Sequence, residues 1–192
     1  MSNRFAIENI SKQNTLFVFA LASEAAGEFD DCKKLLCGIG KVNAAYELTK
    51  ALTEYRPGLI INVGSAGSNV FERGTVVCCT KFIQRDMDVR GLGYELYETP
   101  FSTDPVVLEY GFSLDGLPQG ICGTGDNFEM SHGATVYNVV DMEAFALAHV
   151  AKKENIPFLC LKYISDGADG GAADDWAVQV HKAAEALRQV LF

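Results

Sequence analysis

Residues 41–67, KVNAAYELTKALTEYRPGLIINVGSAG, hold the pattern that decides the fold of this chain. In the first part of the stretch, apolar side chains recur every three or four positions, and Pro57 marks a point that a helix does not pass. The second part begins with Leu59–Val63, a short and largely apolar run that is typical of a buried strand. We therefore predict a helix at Lys41–Tyr55, followed directly by a strand. The helical apolar positions are Val42, Ala45, Leu48, Ala51 and Leu52.

The same alternation of strand and helix continues on both sides of this stretch. Helical spacing predicts further helices at Glu143–Asn155 and Ala172–Leu191, the first of which ends before Pro157. Alternating strands and helices predict an α/β fold with a parallel or mixed sheet flanked by helices. The stretch Arg90–Pro118 has no such period, and long irregular excursions of this kind are often binding loops. The other predicted strands are Thr15–Ala20, Leu35–Gly38, Thr75–Gln84, Gly120–Gly123, Tyr137–Val140 and Phe158–Ile164.

The composition is that of one ordinary folded domain. The chain has 192 residues, of which 48% are apolar and 21% charged, and these values exclude a disordered, collagen-like or small disulfide-rich protein. We expect a polar N-terminal segment at residues 1–14 and a single domain at residues 15–192. The formal net charge of −9 argues against nucleic acid or an anionic membrane as the partner, because both attract basic surfaces. It favours a small neutral or cationic ligand.

The lack of recognisable targeting signals, together with the pattern of cysteines, predicts a cytoplasmic protein. No apolar run approaches the ~20 residues that cross a bilayer, and residues 1–14 lack the apolar centre of a signal peptide. The six cysteines form no CxxC pair and have no histidine at zinc-finger spacing, which favours reduced thiols over a metal site.

Three turns made of small residues follow predicted strands, at residues 38–41 (GIGK), 64–67 (GSAG) and 123–126 (GTGD). Ligands of α/β proteins bind at strand ends, where glycine lets the backbone approach closely. Each turn taken alone is a weak signal, because glycine after a strand is commonly just part of a tight turn. The first turn lacks the spacing of a phosphate-binding P-loop, which argues against a nucleotide triphosphatase.

Three carboxylates also stand at the ends of apolar runs. Glu24 follows the first predicted strand, Asp166 ends the last one, and Glu143 opens a helix. A glutamate at a helix N-terminus gains ~0.3–1 kcal/mol from the helix dipole, and the other two could be turn or capping residues. Read alone, each residue leaves a structural and a functional explanation open.

Six motifs in order give these residues a common explanation. They are ALASE at residues 20–24, GIGKVNAA at 38–45, IINVGSAG at 60–67, GDNF at 125–128, VDMEA at 140–144 and ISDGAD at 164–169. Together they resemble the purine nucleoside phosphorylase and nucleosidase superfamily, and most closely its 5′-methylthioadenosine/S-adenosylhomocysteine nucleosidase branch. The resemblance extends from about Leu16 to Trp176.

The resemblance implies a three-layer α/β/α sandwich that hydrolyses a 5′-substituted adenine nucleoside to adenine and the 5-substituted ribose. It implies no metal or organic cofactor, and a homodimer. By the same resemblance Glu24 is the base that activates water, Asp166 is the acid that protonates purine N7, and Glu143 with Met142 binds the ribose. The other implied substrate positions are Ser65, Ala66 and Gly67 near ribose and water, Phe128 and Ser165 at the base, and Leu21, Ile39, Val89, Leu92, Tyr94 and Trp176 around the 5′ substituent, some of them across the dimer interface.

The chemistry of glycoside hydrolysis accounts for these residue types. Breaking an N-glycosidic bond builds positive charge on the ribose and negative charge on the departing base. An acid on the base side and a base near the attacking water therefore act from opposite sides, as in inverting glycoside hydrolysis. A carboxylate beside the ribose would also stabilise its developing positive charge.

Several departures from the family pattern and three rival functions remain open. The framework is abbreviated, since only 14 positions separate Glu24 from Gly38 where the family usually has a further β-hairpin. Glu129 follows Phe128 where an apolar residue is usual, and Lys162 stands where arginine is common. The departure at Glu129 leaves the base preference open. A phosphorylase is the nearest rival, although Glu24 would repel phosphate. A nucleosidase for another modified nucleoside and a non-catalytic nucleoside-binding protein are the others.

Overall fold

A computed structural model of the chain describes residues 4–5, 10–131 and 133–192. Within the predicted N-terminal segment, residues 1–3 and 6–9 lie outside the described residues. The helices are α1 (Ala22–Ala25), α2 (Lys41–Glu54), α3 (Ala144–Lys153) and α4 (Ala172–Leu191), with a 3-10 turn at Arg90–Leu92. The strands are β1 (Arg4–Phe5), β2 (Thr15–Phe19), β3 (Lys34–Leu36), β4 (Leu59–Gly67), β5 (Val76–Gln84), β6 (Leu108–Glu109), β7 (Ser113–Leu114), β8 (Gln119–Thr124), β9 (Val139–Asp141) and β10 (Phe158–Asp166).

The principal sheet is mixed and has eight strands. Its order is β10-β5-β8-β9-β4-β2-β3, with β6 attached to β5. An additional parallel pairing of β10 with β4 joins the first strand of this order to the fifth, so that five strands close on themselves. The strand β4 thereby contacts β2, β9 and β10 at once. It is the centre around which the other elements are arranged.

Helices cover both faces of this sheet. Alternate side chains of a strand point to opposite faces, and in β2 Val18 belongs to one apolar core while Phe19 belongs to the other. The helices α2 and α3 bury Leu48 and Leu147 against the first face. On the second face, α1 and α4 bury Ala25 and Leu187. The predicted three-layer α/β/α sandwich is confirmed. Among the described residues, no helix is long and apolar enough to span a membrane.

The helices match their predicted bounds more closely than the strands do. The helix α4 has the predicted bounds, and α2 ends one residue early. The strand β3 ends before Gly38, contrary to the prediction, because Gly38 has a φ of +77° that an extended strand does not adopt. The strands β4 and β10 run further than predicted, because they pair with each other as far as Gly67 and Asp166. Residues expected in turns are therefore held in the sheet.

The predicted irregular excursion at 90–118 is largely confirmed. It contains the 3-10 turn and the two-residue strands β6 and β7, and otherwise only turns and irregular backbone.

Candidate active site

A cavity of about 430 Å³ opens where β2, β4, β9 and β10 end. Apart from Ser165, Val89, Leu92 and Tyr94, all the residues predicted for the site line it. They are Leu21, Glu24, Ile39, Ser65, Ala66, Gly67, Phe128, Met142, Glu143, Asp166 and Trp176. Residues more than 100 positions apart in the chain therefore share one wall, and the volume is in the range of small-ligand pockets.

Glu24 is buried and held by four hydrogen bonds. It lies in the single turn of α1, where its Oε2 accepts the backbone N–H groups of Ala20 and Leu21, both at 3.1 Å. Its Oε1 accepts the N–H of Ser65 at 2.9 Å and the Ser65 hydroxyl at 2.8 Å. A Cβ at Gly64 would lie 3.0 Å from Oε1, so the glycine leaves room for the carboxylate. These contacts fix Glu24 against the end of β4.

Asp166 ends β10 and is also buried. The Ser165 hydroxyl donates to its Oδ2 at 2.8 Å, and the N–H of Ala168 donates to its Oδ1 at 2.9 Å. A Cβ at Gly67 would come within 2.5 Å of Oδ1. Ser165 therefore does not line the cavity and instead supports the carboxylate that does.

Glu143 precedes α3 as its N-cap residue and is almost completely buried. The backbone N–H of Gly40 donates to its Oε1 at 2.9 Å. Burial, and after it the negative charge of Asp141, raises the pKa of Glu143 to about 8, while Lys162 opposes the shift. The carboxyl group therefore keeps its proton at neutral pH, because burial favours the uncharged form.

A buried ion pair, which the sequence analysis did not predict, lies directly behind this glutamate. The Lys162 ammonium is 2.8 Å from Asp141 Oδ2, with 2% and 1% of the two side chains exposed. Thr124 donates its hydroxyl to Asp141 Oδ1 at 2.6 Å, and the N–H of Ala144 donates to Oδ2 at 2.8 Å. Burial by itself would raise the pKa of Asp141 and lower that of Lys162. The attraction between the two charges outweighs burial, so the pKa of Asp141 is lowered and that of Lys162 is raised. A lysine inside an otherwise apolar strand was the available sequence signal.

The cavity wall also includes a second ion pair, likewise unpredicted. Arg85 follows β5 and only 4% of its side chain is exposed. Its Nη1 donates to Glu129 Oε2 at 3.0 Å and to Asn127 Oδ1 at 2.9 Å, and its Nη2 donates to the Asn127 carbonyl. Phe128 lies between these two partners in the chain and is partly exposed. This part of the wall therefore combines an aromatic ring with a charged donor and a charged acceptor.

Three of the predicted 5′-substituent residues lie away from this cavity. Val89 precedes the 3-10 turn at Arg90–Leu92, Leu92 is 74% exposed, and the Tyr94 ring packs on Phe101 at 5.9 Å between centroids. The other three residues of that group, Leu21, Ile39 and Trp176, do line the cavity. Within one chain, the segment around residues 89–94 does not contribute to the site. Among residues 4–5, 10–131 and 133–192, no cluster of three or more His, Cys, Asp or Glu side chains is placed to hold a metal ion.

Comparison with known proteins assigns the family. The profile of the phosphorylase superfamily matches residues 34–191, so the chain belongs to that superfamily. The 5′-methylthioadenosine/S-adenosylhomocysteine nucleosidase of Marinomonas sp. is 33% identical over 183 residues, which cover 83% of this chain and 79% of that protein. The enzyme of the same name from Bacillus subtilis is 34% identical over 164 residues, covering 73% of this chain and 71% of that protein. Within the superfamily, the chain belongs to this nucleosidase branch.

The fold agrees with a solved structure of the same branch. A crystal structure of a mutant Helicobacter pylori 5′-methylthioadenosine/S-adenosylhomocysteine nucleosidase, with 5′-methylthioadenosine in its active site, superimposes with a TM-score of 0.84. The match covers 95% of this chain and 97% of that one, at 18% identity.

Proposed function

We propose that this chain hydrolyses the N-glycosidic bond of 5′-substituted adenine nucleosides, such as 5′-methylthioadenosine or S-adenosylhomocysteine, to adenine and the 5-substituted ribose. The observation that carries the proposal is the meeting of three buried carboxyl groups, from Glu24, Glu143 and Asp166, in one cavity. They come from three different strand ends. The names of the relatives in the same branch support the same reaction.

The proposed mechanism uses the three groups on different sides of the nucleoside. Glu24, whose position is fixed by four hydrogen bonds, orients water and accepts its proton. Asp166 donates a proton toward purine N7, so that the base departs neutral. Glu143 contacts the ribose hydroxyls beside Met142. Hydroxyl donors favour the ionised form of a carboxyl group, and its negative charge then stabilises the developing positive charge on the ribose.

The base is proposed to stack on Phe128, with its edge toward Arg85 and Glu129. A donor and an acceptor side by side match the edge of adenine, which offers the N1 acceptor and the 6-amino donor. They also match a 6-oxopurine, which offers O6 and N1–H. A hypoxanthine nucleoside is therefore the second candidate substrate. The buried Arg85 Nε, which has no partner among the described residues, could donate to an acceptor on the edge of either base.

Water is favoured over phosphate as the nucleophile. Among the described residues that line the cavity, Arg85 is the one cationic side chain, and Glu129 already neutralises it. Glu24 and Ser65 occupy the side of the cavity where the nucleophile is proposed to enter. A phosphate there would face a fixed carboxylate, and like charges at short distance repel.

We further propose a homodimer, in which a second copy covers exposed apolar side chains of this chain. Val42, Leu92 and Phe101 are 77%, 74% and 94% exposed. Large exposed apolar side chains are candidates for such an interface. In such a dimer Val89, Leu92 and Tyr94 would reach the partner's cavity. Sedimentation equilibrium tests this, since a mass equal to one chain at micromolar concentration would contradict it. The six free, buried cysteines support a reducing, cytoplasmic compartment.

The decisive experiment measures both products from each substrate. Purified protein is incubated with 5′-methylthioadenosine, S-adenosylhomocysteine, adenosine or inosine, with and without phosphate. Free base with free sugar, independent of phosphate, supports the proposal. Sugar 1-phosphate would identify a phosphorylase, and binding without products would identify a binding protein.

Two substitutions test the assigned roles. Asp166→Asn and Glu24→Gln should each stop base release while ligand binding and the folded state persist. The matched controls are Asp169→Asn and Glu28→Gln, since both of these acids are exposed neighbours in the chain. Full activity of either active-site variant would remove that residue from the mechanism.

A further inference from the structure

Trp176 is the single tryptophan of the chain, and its indole is hydrogen-bonded inside the cavity. It lies near the start of α4, and its Nε1 is 2.9 Å from the Ser65 hydroxyl oxygen. The indole N–H can only donate a hydrogen bond. Ser65 Oγ must therefore be the acceptor in this contact.

The direction of this first bond determines the second. Ser65 Oγ also lies 2.8 Å from Glu24 Oε1, and a carboxylate can only accept. The hydroxyl has one proton, so that proton points at Glu24. Trp176, Ser65 and Glu24 thus form a chain in which every bond runs toward the carboxylate. Successive hydrogen bonds of this kind polarise and strengthen one another.

The Ser65 hydroxyl differs from the other donors that the structure gives to Glu24. Those donors are backbone N–H groups of Ala20, Leu21 and Ser65, which the sheet and the α1 turn hold in place. A serine hydroxyl rotates freely unless a partner fixes it. The indole supplies that partner, so it determines whether the fourth hydrogen bond to Glu24 persists.

We propose that Trp176 is a positioning residue, which acts through Ser65 to hold Glu24 in the orientation that activates water. The inference rests on the proposed function, because it assigns water activation to Glu24. It goes beyond a role in lining the space for the 5′ substituent, which needs only an apolar ring. It also links α4, which begins six residues after Asp166, to Glu24 at the far end of the hydrogen-bond chain.

A double-mutant cycle separates positioning from simple packing. Trp176→Phe keeps an aromatic ring and removes the N–H, and Ser65→Ala removes the hydroxyl. For adenine release we expect Trp176→Phe to lower kcat about tenfold, which corresponds to about 1.4 kcal/mol, with KM changed less than about twofold. In the Ser65→Ala background the same substitution should have no further effect, because residues in one hydrogen-bond chain are not additive. Multiplying effects, or a change in KM alone, would overturn the positioning role.

A spectroscopic test works without turnover. Because Trp176 is the single tryptophan, the indole N–H-sensitive ring mode in ultraviolet resonance Raman spectra reports this one hydrogen bond. Ser65→Ala should move the mode to the position of a weakly bonded indole, whereas the control Ser102→Ala, on an exposed loop, should leave it unchanged. An identical mode in Ser65→Ala and the unaltered protein would refute the hydrogen bond and with it the inference. Absence of base release by the unaltered protein would instead refute the proposed function, and the water-positioning role with it.

Discussion

Replacing Glu143 by glutamine should remove a pH-dependent loss of stability that this carboxyl group imposes on the protein. Glu143 is buried, and the groups facing it are Asp141, Lys162 and Glu24. Its pKa is raised to about 8, first by burial and then by the charge of Asp141. Glutamine has nearly the same shape, does not titrate, and keeps an oxygen that can accept the N–H of Gly40.

The size and sign of the effect follow from proton linkage. The Glu143 carboxyl has a pKa of 4.5 when unperturbed and about 8 in the folded chain. Between these values the folded state binds more protons than the unfolded state, so the free energy of unfolding falls as pH rises. Each pH unit in that window costs up to about 1.4 kcal/mol, which gives an upper limit of about 5 kcal/mol in total. The loss is complete above the folded pKa.

Urea unfolding at a series of pH values measures this effect. The difference in unfolding free energy, Glu143→Gln minus the unaltered protein, should increase by about 2–5 kcal/mol between about pH 5 and pH 9. Groups that do not interact with Glu143 titrate equally in both proteins and cancel in the difference. The control Glu185→Gln, exposed on α4, should give a flat difference. A flat difference for Glu143→Gln as well would refute the argument from burial. The variant should also lose base release.

Three further predictions concern buried groups, two of them beside the site and one throughout the core. Lys162→Met leaves the Asp141 carboxylate buried without its ion-pair partner and should lower the free energy of unfolding by about 3–5 kcal/mol in urea titrations. Gly67→Ala brings a methyl group within 2.5 Å of Asp166 Oδ1, so kcat for base release should fall about 100-fold or more. All six cysteines are buried and free, so a thiol reagent should label the native protein far more slowly than the urea-unfolded protein.

Each of these three has a matched control. Lys81→Met removes an exposed ion pair with Glu109, and its cost should stay within about 1 kcal/mol. If Lys162→Met lowered the free energy of unfolding by no more than Lys81→Met does, the argument from burial of the ion pair would be contradicted. Gly91→Ala places its methyl group in open space, so wild-type kcat is expected, and a similar loss in both glycine variants would exclude a local clash as the cause. Rapid labelling of native thiols would show that the cysteine-bearing strands open readily.

Local sequence patterns predicted most elements because their periodicity and end signals are local. The helix α4 has its predicted bounds, since an amphipathic repeat over twenty residues outweighs single-residue effects. Strand ends were less predictable. The strand β4 continues through Gly67 because β10 pairs with it, and no residue within β4 reports that partner.

The candidate site was likewise predicted where the sequence signal is local and missed where it depends on tertiary contacts. The motifs around Glu24, Glu143 and Asp166 pointed to these carboxyl groups, and all three line the cavity. Arg85 and Lys162 were missed as members of the site, because a charged residue reveals its buried partner only after folding. Glu129 stood out in the sequence only as a departure from the family pattern, and the sequence did not indicate that it or Asp141 pairs with a buried cation.

The amino-acid sequence by itself thus determined the α/β class, the helices α2, α3 and α4 and the identity of the family-like motifs, because these depend on residues within one turn or one strand. Only the tertiary structure decided which groups touch. Gly40 binds Glu143 across 103 positions, and Trp176 binds Ser65 across 111. The environment of each carboxyl group, including the raised pKa of Glu143, depends on neighbours that the closing of β10 onto β4 brings together.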